Sequence, residues 1–397
     1  MYTVVVTAVF PVWYRNYVAV DLSDDAKRTS FAWATTMVLV LSALLSPLLG
    51  ALADARGSKK RWFTAFVALG TSACAALAFV QQGQAALACT LFALANLGAV
   101  GSFVFYDAML VDVAEPKDYD ALSTSGYALG YLGGGLALAA VAASLLYPIL
   151  PGSESDPQLA VRASMLFVAL WWAVFSLPLL LRVKETRHDT QRDTRVSAAL
   201  RALWQTLTEL RQRRDAFIFL LAFFAYNDGI GTIIRMATTF GDEKGLAAAD
   251  MLKAILLVQV VGIPATLLFG RIARSTGAKL MLFVAIAVYV IAALLARSLE
   301  TAADFWLLAG LIGCVQGGAQ ALSRSLYASM VPAHRQAEFF GLFSTLEKFA
   351  GILGPLAFAV LPSTDAALLS VIGFFLLGAG LLSRVDVARG RATHHQP

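Results

Sequence analysis

Charge is the scarcest ingredient of this chain for its size. Only 14% of its 397 residues are Asp, Glu, Lys or Arg, against about one quarter in a soluble globular domain. So few charges cannot cover a water-exposed surface of that extent. Histidine is rarer still, with four in the chain, none on a helix with an acid at ligand spacing, so no metal site is expected. The three cysteines, Cys74, Cys89 and Cys314, lie inside apolar runs without a CxxC pair. They read as small packing residues and say nothing of redox compartment. No nucleophile elbow is present, and the run Gly133-Gly134-Gly135 is not followed by the Lys-Ser/Thr of a phosphate-binding loop. These absences argue against an enzyme, against ATP chemistry within the chain and against a cofactor. The net charge of +5 gathers in a few loops, so it reports orientation in a membrane rather than nucleic-acid binding.

Apolar residues are in excess instead, at 58% with a mean hydropathy of +0.69. Runs of about 20 such residues recur, each long enough to cross a bilayer core. Spans are expected at 2–20, 31–53, 62–81, 85–110, 124–148, 161–183, 216–240, 251–270, 280–298, 305–327, 339–361 and 366–383. Loops after even-numbered spans hold Arg56, Lys59, Lys60 and Arg61, then the basic residues between Arg182 and Arg214, then Arg271, Arg274 and Lys279. Both termini are therefore expected in the cytoplasm. One inner loop, Glu115-Pro116-Lys117-Asp118-Tyr119-Asp120, is acidic, but acids weigh little in this rule. The polar stretch 184–214 divides a six-helix bundle at 1–183 from a second at 215–384, with a cytoplasmic tail at 385–397. Within that linker Leu200, Leu203, Leu207 and Leu210 recur at helical spacing beside arginines, the pattern of a helix lying on anionic lipid.

The most informative local pattern is the turn Gly50-Ala51-Leu52-Ala53-Asp54-Ala55-Arg56-Gly57-Ser58-Lys59-Lys60-Arg61. A weaker echo, Gly270-Arg271-Ile272-Ala273-Arg274-Ser275-Thr276-Gly277-Ala278-Lys279, stands between the eighth and ninth spans. A basic turn at the same place in two halves implies a duplicated membrane unit. The turn resembles the loop signature of the major facilitator superfamily at Gly50, Asp54, Gly57, Lys59 and Arg61, while Ala55 and Ser58 stand where basic residues are usual. That resemblance implies an all-α fold of twelve transmembrane helices in two six-helix bundles, with Gly50, Asp54, Arg56, Gly57, Lys59 and Arg61 as a gating loop. Phe105-Tyr106-Asp107-Ala108-Met109-Leu110, Gly126 to Gly135, Tyr226-Asn227-Asp228-Gly229, Gln316 to Ser325 and Glu338-Phe339-Phe340-Gly341 narrow it further. They resemble the vacuole-effluxer-like family, whose fungal branch is associated with amino-acid release from vacuoles. Asp107 stands where that family more often has Asn. Its polar segment at the start of span one is missing here, so either the start lies upstream or those groups are lost.

Polar side chains inside spans are costly unless paired or facing water, and they supply the candidate site. Asp228, with Asn227 and Tyr226, marks span seven. Its carboxylate is either a solute or proton site or one half of an ion pair with Arg235 or Lys348. Gln316, Gln320 and Arg324 form a stripe down span ten, where amides offer donors and acceptors to a zwitterion. Arg324 is expected to snorkel or to pair with Asp107 or Asp112. Glu347 and Lys348 point about 100° apart, so one is expected in the cavity and the other against a neighbouring helix. Tyr127 and Tyr131 share a face of span five, and Asn96 completes the set. Gly126, Gly130 and Gly134, and the glycines from Gly310 to Gly318, are expected to let helices pack closely. Together these features predict a multi-pass protein of a bacterial plasma membrane with lipid around it. Its expected work is secondary transport of a small polar solute, on the family resemblance an amino acid leaving the cell, driven by a proton or another ion. A membrane sensor or assembly factor of the same fold is the alternative, favoured by the missing polar start.

Overall fold

The computed structural model describes residues 9–56, 58–147, 156–185, 204, 206, 208–350 and 364–392. All regular elements among them are helical. Helix α1, Phe10–Trp13, continues as a π-helix over Tyr14–Val18. The first half then holds α2 (Asp24–Arg56), α3 (Lys59–Leu77), α4 (Ala85–Ala108), α5 (Tyr119–Leu146) and α6 (Pro157–Arg182). The second half holds α7 (Arg214–Glu243), α8 (Ala248–Thr276), α9 (Ala278–Ala296), α10 (Ala302–Ala328), α11 (Gln336–Phe349), α12 (Thr364–Ser383) and a short α13 (Val387–Ala392). Among the described residues nine helices are long and apolar enough to cross a membrane. The others have local reasons to fall short. Helix α3 opens on Lys59, Lys60 and Arg61, and α1 and α11 adjoin 1–8 and 351–363, which lie outside the described residues. So do Gly57, Leu200, Leu203 and Leu207.

Local chemistry sets the helix ends. Asp156 caps α6 by accepting the Gln158 N–H at 2.9 Å, and Thr301 with Asp304 forms a capping box on α10, each satisfying donors that the helix leaves open. Gly277 ends α8 and starts α9 at φ 87°, a conformation that a side chain rarely tolerates. That explains the glycine in the echo turn.

The apolar cores reveal how the two halves meet. One cluster joins Ala53, Phe63, Phe105 and Tyr119 of the first half to Phe219, Phe269, Leu322 and Phe340 of the second. All of these lie toward the end that carries the basic turns. At the opposite end the described residues of the two halves gather in separate cores. Phe10, Trp13, Tyr14, Leu77 and Phe92 gather in the first, where Phe10 stacks on Phe92 at 4.2 Å. Ala254, Leu299, Phe305 and Leu368 gather in the second. A shared core at one end and divided cores at the other describe a molecule shut at its basic end.

Candidate functional site

Helices α2 and α11 make the tightest part of the shut end. An added Cβ at Gly50 would run into the Ala337 carbonyl, and one at Gly341 would meet the Ser46 carbonyl and Pro47. Only glycine permits this approach. Asp54 follows one turn after Gly50 and accepts the Glu338 N–H at 2.8 Å, using a donor that the first turn of α11 cannot satisfy internally. The Glu338 carboxylate turns the other way, to Arg335 at 2.8 Å and to Thr206. Arg335 also pairs with Glu209. The described end of the linker is therefore docked on α11, with Leu210 inside the shared core. Lipid contact, the expectation for this segment, does not describe Thr206 and Leu210.

The duplicated turn carries a duplicated contact. Gly270, the echo of Gly50, sits where an added Cβ would strike Thr124 of α5. Two more contacts shut that seam: Ser123 donates to the Ala321 carbonyl at 2.8 Å, and Ser325 donates to Asp120. Lys279 of α9 donates to the Ser383 and Val385 carbonyls at 3.1 and 2.7 Å, holding the C-terminal end of α12. In the first half Lys60 does the same for the Val183 carbonyl at 3.0 Å. Lys59, the residue aligned with Lys279, instead pairs with Asp112 at 2.8 Å, while its N–H goes to Glu185. Burial lifts Glu185 above the ordinary carboxylate range, while the backbone N–H groups of Lys59 and Lys60 and the Lys59 charge pull it back. Arg61 is exposed. Of the expected gating set, Gly50 and Asp54 meet α11, whereas Lys59 braces its own bundle.

Deeper along the seam lies a charged cluster. Asp107 of α4 and Arg324 of α10 form an ion pair across the halves at 3.2 Å, both largely buried. The guanidinium lies 4.7 Å from the Tyr106 ring centre, a cation–π contact. Glu347 and Lys348 of α11 stand within electrostatic range of Asp107, and Tyr127 of α5 within range of Asp107, Glu347 and Arg324. Glu347 and Lys348 stay within reach of each other. Lys348 bonds Glu347 at 3.3 Å, because the flexible lysine stem spans the angle between neighbouring positions.

The other candidates are dispersed. Tyr131 touches the sites of Gly262 and Gly317, so it packs across to α8 and α10. Tyr226 is buried with its hydroxyl 2.6 Å from Ser323, and Asn227 is buried beside it. Asp228 is 0% exposed, its carbonyl accepting from Thr232 at 2.7 Å, while Gly229 rests on Phe375 of α12. Asn96 donates to the Phe92 carbonyl one turn back at 3.0 Å. Gln316 and Gln320 remain half-buried on α10. The glycine expectation divides. Gly313, Gly317 and Gly318 press on α8, but Gly310, Gly130 and Gly134 face open space. Tyr106, Thr206, Arg335 and Gln259 were not singled out from the sequence. Gln259 has an enclosed side-chain oxygen without a partner, and a lone amide in an apolar run was the available signal.

Comparison with known proteins accords with this architecture. A family profile described as "Vacuole effluxer Atg22 like" matches residues 16–395. The uncharacterized MFS-type transporter YxiO of Bacillus subtilis is 36% identical over 390 residues, covering 96% of this chain and 90% of its own length. Autophagy-related protein 22 of Yarrowia lipolytica is 27% identical over 305 residues, which take in 68% of this chain but 51% of the fungal protein. Among solved structures, the human organic anion transporter MFSD10 superposes with a TM-score of 0.72 at 17% identity, covering 96% of this chain and 95% of its own. The proton:xylose symporter XylE gives 0.71 at 13%, covering 98% and 93%. At such identities the likeness concerns the fold.

Proposed function

Because the chain belongs to the vacuole effluxer Atg22-like family of MFS-type transporters, we propose that it moves a small polar solute by alternating access, driven by a proton or another ion. It is a multi-pass membrane protein and not an enzyme. The observation that carries the reading is the single core shared at the basic end against two cores at the other. A reversible seam of this kind offers the solute one face at a time. The bed for the solute is the cluster of Asp107, Arg324, Tyr106, Tyr127, Glu347 and Lys348, with the amides of Gln316 and Gln320 above it. An amino acid suits this mixture of charges, and outward release across a bacterial plasma membrane follows the family resemblance. The test is flux in proteoliposomes under an imposed proton gradient, after a thermal-shift screen against amino acids, dipeptides and sugars. Folded protein showing neither ligand shifts nor flux would favour the sensor or assembly-factor alternative.

The basic end is assigned to the cytoplasm. In a background without native cysteines, Ser298→Cys should react with an impermeant reagent in intact cells and Ser275→Cys only after lysis, both positions being exposed. The reverse pattern would invert the orientation.

We place Asp228 in the scaffold of the second bundle, since it is enclosed between α7 contacts to α10 and α12. Asp228→Asn is expected to change the melting temperature while leaving solute affinity within about twofold, a span of less than 1 kcal/mol. Lost affinity at unchanged melting temperature would return it to the solute path.

A further inference from the structure

A cavity of about 360 Å³ lies in the first half, between the end of α3 and the start of α6, away from the basic turns. Ala78, Phe79, Leu159, Ala163 and Leu166 make its wall apolar, and Gln81 and Arg162 are its polar members. Phe79 and Leu166 are also strongly exposed, so the cavity opens sideways toward the membrane rather than toward the seam. Arg162 stands five residues into α6, which begins at Pro157. That is about 8 Å along the axis, near the boundary between headgroups and hydrocarbon.

The arginine is poorly served by the protein. Its Nη2 donates to the Tyr17 hydroxyl at 3.3 Å. Its Nε is enclosed without an acceptor, and no acid among the described residues pairs with it. A guanidinium in this position needs an anion. An apolar wall open to the bilayer beside a cationic fork fits an anion that carries hydrocarbon. Phosphate oxygens match the guanidinium geometry, and acyl chains match Phe79, Leu159 and Leu166.

We propose that Arg162 and this cavity bind the phosphate of a phospholipid from the leaflet at that end, with an acyl chain along Phe79 and Leu166. Gln81 supplies amide donors to the headgroup. This site is separate from the solute seam and from the basic turns. The experiment is native mass spectrometry of the purified full chain titrated with phosphatidylglycerol. Wild type should hold one lipid through delipidation, Arg162→Gln should hold it about tenfold less, and Arg162→Lys should fall between. Leu166→Trp, which fills the apolar wall and leaves the guanidinium in place, should weaken retention as well; it serves if Arg162→Gln does not fold. Equal retention by wild type and these variants would overturn the proposal. So would displacement of the lipid by inorganic phosphate at equal concentration, which would make the ligand a free anion.

Discussion

Arg324→Met is expected to abolish net flux and to open the basic end. Removing one partner of a buried pair leaves the other charge enclosed, at a cost of about 3–5 kcal/mol. Lys348 stands within range of Asp107 and offsets part of this, so the lower figure is the better guide. Because the pair joins α4 to α10 across the seam, that cost falls on the shut state and not on the state in which water reaches Asp107. A bias of about 3 kcal/mol moves the equilibrium roughly hundredfold. Spin labels at Arg61 and Arg274, exposed on the basic turns of the two halves, should report a longer distance. Adding Asp107→Asn removes the stranded charge and should restore the shorter distance. Flux should stay lost, because the solute bed has no charge left on α4 or α10. Unchanged distances and normal flux in Arg324→Met would remove the pair from both roles.

Asp54→Ala is expected to act on the same equilibrium and to spare the solute. The variant loses the hydrogen bond to the Glu338 N–H and leaves that buried donor open, at a cost of about 1–3 kcal/mol. The population should move toward the open basic end at least severalfold. The solute bed lies deeper, so intrinsic affinity should survive once the population change is taken into account. Loss of ligand binding with a normal distance distribution would show that Asp54 belongs to the bed. Glu338 deserves the companion experiment least, since its carboxylate also holds Arg335 and Thr206 and its removal would mix two effects.

Several parts of this site were legible in the chain. The Arg324–Asp107 pair was one of two partners expected, because an arginine inside a span must find an acid or water. Asp54 at a helix end suggests an acceptor for the backbone N–H groups that open the next helix, whereas its partner opens α11, 284 positions away. Other parts were not legible. Lys60 rather than Lys59 reaches a helix-end carbonyl in the way Lys279 does, because a one-residue difference in where α3 and α9 begin rotates the cation by about 100°. Gly130 and Gly134 looked like packing glycines but face open space, since spacing shows which face they share and not whether a helix covers it. Asp228 reads along the chain as a solute or proton site or as half of an ion pair, and nothing there tells that it and Tyr226 are enclosed. Polarity inside a span tells that a partner is required, while burial depends on the neighbours that α10 and α12 provide.

What the sequence determined by itself was local and additive. The apolar runs set the helices, the shortage of charge set the medium, and the repeated basic turn marked two related halves. Each of these depends on a residue and its near neighbours along the chain, so each survives without knowledge of the fold. The tertiary structure alone decided which end is shut, that Glu338 serves Asp54 with its backbone and Arg335 with its side chain, and that Arg162 has a cavity beside it and no paired acid among the described residues. Those outcomes rest on close packing between distant helices. Two arrangements of one seam can preserve every local preference, and only the contacts made across it distinguish them.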